Sequence, residues 1–123
     1  MSRRTNRPAR DFPRTVRLNQ LFQEILAEEL ERIDDERLEL VTIMSVDVDA
    51  DLHRAIVYFD TLGGEDDDAG VLEAFGELRY RLQGASGRQA RVKRTPELVF
   101  RPDDVGRGAA RLEEVLRNIH DEQ

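Results

Sequence analysis

The chain has 123 residues and a mass of 14.2 kDa, the size of one ordinary domain. It has no cysteine, which excludes disulfides, zinc–thiolate sites and thiol nucleophiles. Apolar residues make up 39% of the chain, enough for a core, but no apolar run is long enough to span a membrane. The arginine-rich first residues are not followed by an apolar segment, so they do not resemble a secretory signal peptide. These features predict a soluble cytoplasmic protein without a membrane partner.

The net charge of −7 hides a strong separation of charge along the chain. Residues 1–17 carry six arginines and one aspartate, and residues 24–51 carry eleven acids and two arginines. Residues 78–96 carry six bases and no acid, namely Arg79, Arg81, Arg88, Arg91, Lys93 and Arg94. An acidic protein with concentrated basic segments can bind a polyanion through them. The alternative is that each charged run is only a solvated face.

Residues 1–13 are polar, rich in arginine and interrupted by two prolines. They predict a flexible basic arm ahead of a domain over residues 14–120, with a short tail over 121–123. Apolar residues then recur at three- and four-residue spacing from about Thr15 to Ile33, which predicts an amphipathic helix. Asp34 and Asp35 predict the turn that ends this helix.

From Leu38 to Ala50 the apolar period changes to two, as in a half-buried strand. Strict alternation places Leu40, Met44, Val46 and Val48 on one face with Thr42, and Val41 and Ile43 on the other. A second strand is predicted from Leu52 to Leu62, with Ala55, Val57 and Phe59 on one face. So short a connection between two strands predicts an antiparallel hairpin.

Helical periodicity returns from about Asp68 to Ala90, but three glycines interrupt it: Gly76, Gly84 and Gly87. Each costs about 1 kcal/mol against alanine in a helix, so at least one is expected at a cap or kink with positive φ. Pro96 predicts that a third strand starts there or just after and continues to Phe100. A last helix is predicted over about Gly108–His120, with one apolar face made of Leu112, Val115, Leu116 and Ile119. The order α-β-β-α-α-β-α predicts an α+β fold with a three-stranded sheet covered on one face by helices.

Enzyme signatures are mostly absent from the sequence. The two histidines, His53 and His120, do not form a metal-spaced pair. Asp47, Asp49 and Asp51 fit a solvated strand end and turn better than a cation site. We therefore expect no catalytic activity, no cofactor and no metal.

The six bases between Arg79 and Arg94 are predicted to bind RNA, because arginine can grip phosphate bidentately. Within this cluster, Gly84-Ala85-Ser86-Gly87 is a GxxG sequence. In KH-type modules such a turn between two helices brings backbone amides to a phosphate; the alternative is a helix that ends at Gly87. Most of the seven aromatic residues fall on apolar stripes, so stacking on bases is expected to be minor. These features predict binding of structured RNA through its backbone and shape.

Several separated motifs resemble those of the bacterial ribosome-binding factor A family. They are Asp35-Glu36-Arg37-Leu38, Val41-Thr42-Ile43, Val46-Asp47-Val48, Asp51-Leu52 and Ala55-Ile56-Val57-Tyr58, followed by Thr95-Pro96-Glu97-Leu98-Val99-Phe100 with Asp103. The resemblance covers about residues 14–119. It implies a KH-like domain of the second type in an assembly factor that binds the small (30S) ribosomal subunit. It also implies a part in late maturation of 16S rRNA and in growth in the cold.

We accordingly expect a monomer whose partner is the small subunit, through 16S rRNA and neighbouring ribosomal proteins. The family has an Ala-x-Gly kink between two central helices, and the sequence offers three positions for the bend. They are Leu78–Tyr80 by gapless alignment, Ala74–Gly76 with a gap, and the GxxG at Gly84–Gly87. Two other functions remain open: a general single-stranded RNA- or DNA-binding KH module that uses Gly84–Gly87, and an acidic domain that docks a basic protein.

Overall fold

The computed structural model describes residues 14–121, so the predicted basic arm and the last two residues lie outside the described residues. Within that range three helices and three strands follow one another: α1 (Arg14–Glu31), β1 (Val41–Val48), β2 (Arg54–Thr61), α2 (Glu65–Ala90), β3 (Glu97–Pro102) and α3 (Asp104–Asp121). A 3-10 turn over Glu36–Leu38 lies between α1 and β1. The predicted α+β class with a three-stranded sheet is confirmed.

The strands lie in the order β1-β2-β3. β1 and β2 form the predicted antiparallel hairpin, whereas β3 runs parallel to β2. Because parallel neighbours cannot be joined by a tight turn, α2 crosses over from the end of β2 toward the start of β3. This crossover brings the C-terminal end of α2 beside the first residues of β3.

The core lies between one face of the sheet and the apolar stripes of α1 and α2. On β2, Ala55, Val57 and Phe59 are fully buried, which confirms the predicted core face of that strand. The ring of Phe75 on α2 stacks on Phe100 of β3 with centroids 4.2 Å apart. The same ring meets Phe59 edge-on at 5.4 Å, so three elements share one aromatic contact.

The predicted faces of β1 are partly wrong because a β-bulge interrupts the strand. Its pairing with β2 shifts between Ile43 and Ser45, so that Met44 is one extra residue on β1. Alternation restarts after the bulge, and Ile43 therefore lies in the core together with Val46. Leu40 and Met44, predicted on the same face as Val46, are instead 59% and 44% exposed.

α2 is one continuous helix of 26 residues, so the predicted bend is wrong at all three positions. Leu78–Tyr80, Ala74–Gly76 and Gly84–Gly87 all lie inside it, and none of its glycines has a positive φ. The described order is therefore α-β-β-α-β-α, with one central helix where two were predicted. The helix ends instead at Arg91, whose left-handed conformation (φ 55°, ψ 39°) forms the C-cap.

Close packing explains one of the helical glycines. A Cβ at Gly87 would overlap the hydroxyl of Thr95, whereas a Cβ at Gly76 would meet nothing within 4 Å. Gly87 thus allows the segment before β3 to approach the backbone of α2. Its conformational cost is offset by a close contact between two segments, which is a different use from the predicted turn.

α3 is anchored at its first turns by Arg107, the one buried residue of this helix. Arg107 Nε donates to Asp60 at 2.8 Å, and its two Nη atoms donate to both carboxylate oxygens of Asp68 at 2.7 and 2.9 Å. Burial alone would raise the pKa of Asp60, but hydrogen bonds from Arg107 and from the Thr61 amide lower it.

The predicted apolar face of α3 does not join the core. Its four members are 51–59% exposed: Leu112, Val115, Leu116 and Ile119. The expectation that this helix also covers the sheet is therefore wrong. The core face of the sheet is already filled by α1 and α2, which leaves no apolar surface there for a third helix.

Replacing Arg107 by alanine should destabilise the fold by about 3 kcal/mol, because two partly buried carboxylates lose the cation that they share. Urea unfolding followed by circular dichroism measures the change. Arg111→Ala is the matched control, since the ion pair of Arg111 with Glu65 is exposed on both sides and should contribute less than about 1 kcal/mol. Equal losses in the two variants would contradict the anchoring role of Arg107.

Candidate nucleic-acid interface

The six predicted RNA-binding bases lie on the second half of α2 and in the segment that leads to β3. Gln83 fixes the start of β3 against α2, because its Nε2 donates to Pro96 O at 2.6 Å and its Oε1 accepts from the Leu98 amide at 3.1 Å. The positive φ of Arg91 turns the chain away from the helix axis. A helix end, a short connection and a strand start therefore meet at one corner of the fold.

Two of the six bases are engaged within the fold. Arg79 forms an ion pair with Glu97 at the start of β3. Arg81 Nε donates to Glu29 Oε2 on α1 at 2.7 Å, and the Glu29 side chain is only 9% exposed. The hydrogen bond from Arg81 lowers the pKa of Glu29 and outweighs the opposing effect of burial. These arginines thus join α2 to its neighbours.

The remaining four bases, which we call the basic corner, are exposed: Arg88, Arg91, Lys93 and Arg94. Within residues 14–121 no carboxylate forms an ion pair with any of them. They lie within seven consecutive residues, so their charges add in a small region. This corner is where uncompensated cations are concentrated on the described surface, which suits it to a polyanion.

The predicted phosphate-binding turn at Gly84–Gly87 is wrong. All four residues are helical, so their amide N–H groups are directed along the helix and satisfied within it. Ala85 and Ser86 are fully buried, and Ser86 Oγ donates to Leu82 O at 3.0 Å. These residues offer no free amide to a phosphate, and the side chains of the central pair face the core.

Three acids in and beside the first half of α2 share one cation, Arg37. Arg37 donates to Asp35 and Glu77 at 2.7 Å each and to Glu73 at 3.2 Å. Its hydrogen bonds lower the pKa of Asp35 and of Glu77, and these carboxylates raise the pKa of Arg37 further above its usual range. Paired charges on this part of α2 contrast with the unpaired charges of the basic corner.

The acids of the hairpin serve its turn. Asp49 accepts hydrogen bonds from the amides of His53 and Arg54 at 2.9 and 3.1 Å. The hydrogen bond from Arg54 is the main cause that lowers the pKa of Asp49. In the part of the chain that the structure describes, no group of histidines and acids could hold a metal ion.

Tyr80 is an aromatic residue that lies away from the apolar stripe of α2. Its side chain is 94% exposed, although neighbouring positions of α2 such as Leu82 are buried. The signal that could have found it is spacing: Tyr80 lies four residues from both Gly76 and Gly84, off the stripe that contains Phe75. An exposed aromatic ring therefore stands between two glycines on the same helix as the basic corner.

Comparison with known proteins decides the family. The sequence model described as ribosome-binding factor A matches residues 14–116. The chain belongs to the ribosome-binding factor A family. The matched range includes all three strands and most of α3.

Relatives named ribosome-binding factor A agree with this assignment. The one from Rubrobacter xylanophilus is 36% identical over 89% of each chain. The one from Beutenbergia cavernae is 38% identical over 85% of this chain and 66% of its own length. The crystal structure of ribosome-binding factor A from Thermus thermophilus superposes with a TM-score of 0.64 at 31% identity, covering 72% of this chain and 93% of that one.

A homology model of the Thermus thermophilus ribosome-binding factor A was fitted into a cryo-electron microscopy map of its complex with 30S. It superposes with a TM-score of 0.57 at 32% identity and covers 68% of this chain and 88% of that one. No helix among residues 14–121 is both long and apolar enough to cross a membrane.

Replacing Arg81 by methionine should destabilise the fold by about 2 kcal/mol, because Glu29 loses its main hydrogen-bonding cation. In the unsubstituted chain the lowered pKa of Glu29 contributes stability that is present above its ordinary value of 4.5 and is lost as the pH falls through the lowered value. Arg81→Met should therefore flatten the fall of unfolding free energy between about pH 5 and pH 3. Denaturant titrations across this range measure both effects.

The control for this variant is Arg79→Met, which removes a more exposed ion pair. It should change stability by less than about 1 kcal/mol and leave the contribution of Glu29 to the pH profile in place. If the two variants share one pH profile, Glu29 does not depend on Arg81 in the way described.

Proposed function

We propose that this protein is a non-catalytic assembly factor that binds the free small (30S) ribosomal subunit and assists late maturation of 16S rRNA. Membership of the ribosome-binding factor A family supports the proposal, as does the family member fitted into a 30S complex. The protein then acts in the cytoplasm, where small subunits mature. Its contribution matters most in the cold, where misfolded RNA is slowest to rearrange.

The observation that carries the RNA-binding part of this proposal is the basic corner. Four unpaired cations within seven residues concentrate positive potential at one place on a protein whose net charge is −7, and a polyanion is the ligand that such a concentration attracts. Exposed guanidinium and ammonium groups that lack internal partners are free to contact phosphate without breaking the fold. The arginines of residues 1–13 add further positive charge to the chain.

The structure argues against the general KH module that would use Gly84–Gly87. That function needs a turn whose amides approach a phosphate, and here these residues lie in the interior of α2. Recognition through side-chain cations fits a target that is read by its backbone and shape. This is the kind of surface that folded ribosomal RNA offers.

Tagged protein should sediment with free small subunits in a sucrose gradient. The reason is that the phosphate surface bound by an assembly factor is exposed in the free subunit, whereas joining of the large subunit covers part of it. Immunoblots of gradient fractions from growing cells measure the distribution. An even distribution across free subunits and complete ribosomes, or absence from all of them, would overturn the proposal.

Neutralising Arg88, Arg91 and Lys93 together by alanine should weaken binding to 16S rRNA and flatten its salt dependence. Loss of three phosphate contacts should reduce the slope of log affinity against log salt by about 2. Filter binding over a range of potassium chloride concentrations measures both quantities.

The control is the triple variant Arg54→Ala, Arg101→Ala and Arg117→Ala, which makes the same change in net charge at other exposed positions. It should keep most of the slope. Equal effects of the two triple variants would show that the net charge of the protein matters and the basic corner does not.

A further inference from the structure

Tyr80 is the most exposed large apolar side chain of the described residues, at 94%. It does not contribute to the core, and the fold would lose little if it were replaced by a polar residue. A ring that is held out from the middle of a rigid helix has lost part of its conformational freedom without burying area. Such a residue has its full contact surface available to a ligand.

The surface on both sides of this ring is open. Two shallow clefts, of about 630 and 460 Å³, share Tyr80, Gln83 and Thr95 in their walls. Gly76 and Gly84 lie one helical turn before and after Tyr80 and carry no side chain that could cover the ring. A planar group can therefore reach the face of the phenol from either side.

The charges around the ring are unequal. On the side toward Gly76 the acids have cation partners, because Glu77 is paired with Arg37 and Glu97 with Arg79. On the other side lies Arg88, whose Nη1 would be 3.1 Å from a Cβ at Gly84, so its guanidinium lies close to that bare stretch of helix. An aromatic ring bordered on one side by uncompensated cations matches a ligand that has both planar rings and phosphates.

We propose that Tyr80 stacks on an unpaired base of a single-stranded RNA segment whose phosphates are held by the basic corner. The ring and Arg88 are eight residues apart on one helix, a rise of about 12 Å that consecutive nucleotides can span. A duplex does not fit this arrangement, since its base faces are covered by neighbouring pairs and its major groove is too deep and narrow for side chains. The inference rests on the proposed function and narrows its target from folded rRNA in general to a site with an unstacked base.

Tyr80→Trp provides a direct readout, because the chain contains no tryptophan and the indole becomes a single fluorescent reporter. Saturating amounts of an unstructured RNA oligonucleotide should quench its fluorescence, whereas a blunt RNA duplex of equal length should bind with little quenching. An unchanged spectrum with saturating single strand would overturn the proposal. Equal quenching by both RNAs would also overturn it.

Affinity measurements separate stacking from charge. Tyr80→Ala should lose about tenfold in affinity for the single strand, as for removal of one stacked base. Its affinity for the duplex and its salt slope should stay unchanged, because no charge has been removed. Tyr80→Phe keeps the ring and should bind within about twofold of the unsubstituted chain. Equal losses by Tyr80→Ala for both RNAs would contradict stacking.

Leu62→Ala controls for removal of an exposed apolar side chain, since Leu62 is 82% exposed and lies outside the clefts. It should change neither affinity.

Failure of the proposed function appears separately, as absence of the unsubstituted chain from small-subunit fractions. If the chain sediments with small subunits and Tyr80→Ala does so equally, while the tryptophan reporter stays silent with RNA, the ring is not a base platform. Quenching by small subunits without quenching by RNA would assign the ring to a protein partner and overturn the proposal.

Discussion

The contact of Phe75 with Phe59 and Phe100 is the constraint on which the rest of the structure depends. It joins the helix α2 to two parallel strands that have no turn between them. This contact holds the middle of α2 against the sheet, and the crossover connection brings the C-terminal end of α2 beside the start of β3. The position of the basic corner is thus a consequence of core packing, since no interaction of the cations themselves determines it.

Further contacts made by residues of α2 hold the basic corner in place. Gln83 bonds the backbone on both sides of the residue that starts β3, and Gly87 lets Thr95 approach the helix closely. Arg81 adds a link to Glu29 on α1. Polar side chains of α2 therefore serve to hold neighbouring elements, and the exposed groups at its end are carried on a scaffold that does not need them for stability.

The sequence predicted those features of the fold that depend on neighbouring residues. It missed features that depend on contacts between residues far apart in the chain. The core face of β2 follows from local alternation and was predicted correctly, whereas the bulge at Met44 depends on how β1 pairs and could not be seen in β1 alone. Glycine spacing suggested a bend in α2, but the use of Gly87 depends on Thr95, which approaches from outside the helix. The sequence predicts that a glycine destabilises a helix, but it does not show the contact with Thr95 that offsets this cost.

The same limit applies to the candidate site. The six bases between Arg79 and Arg94 look alike in composition, yet Arg81 has a partner 52 residues away and Arg88 has no acidic partner among the described residues. Which cations are free is decided by tertiary structure. The exposure of Tyr80 could have been inferred from helical spacing, because the ring lies between two glycines away from the apolar stripe.

The continuous helix α2 also separates charge over a distance. It spans about 39 Å, with four acids in its first turn and the basic corner in and just beyond its last turn. Because the net charge of −7 already includes the four positive charges of that corner, the rest of the molecule carries −11. The electric field of a polyanion therefore exerts a torque on the protein as well as a force. The torque turns the basic corner toward the polyanion while the protein is still diffusing. Orientation is then selected before contact, and added salt weakens this selection because it screens the field that turns the molecule.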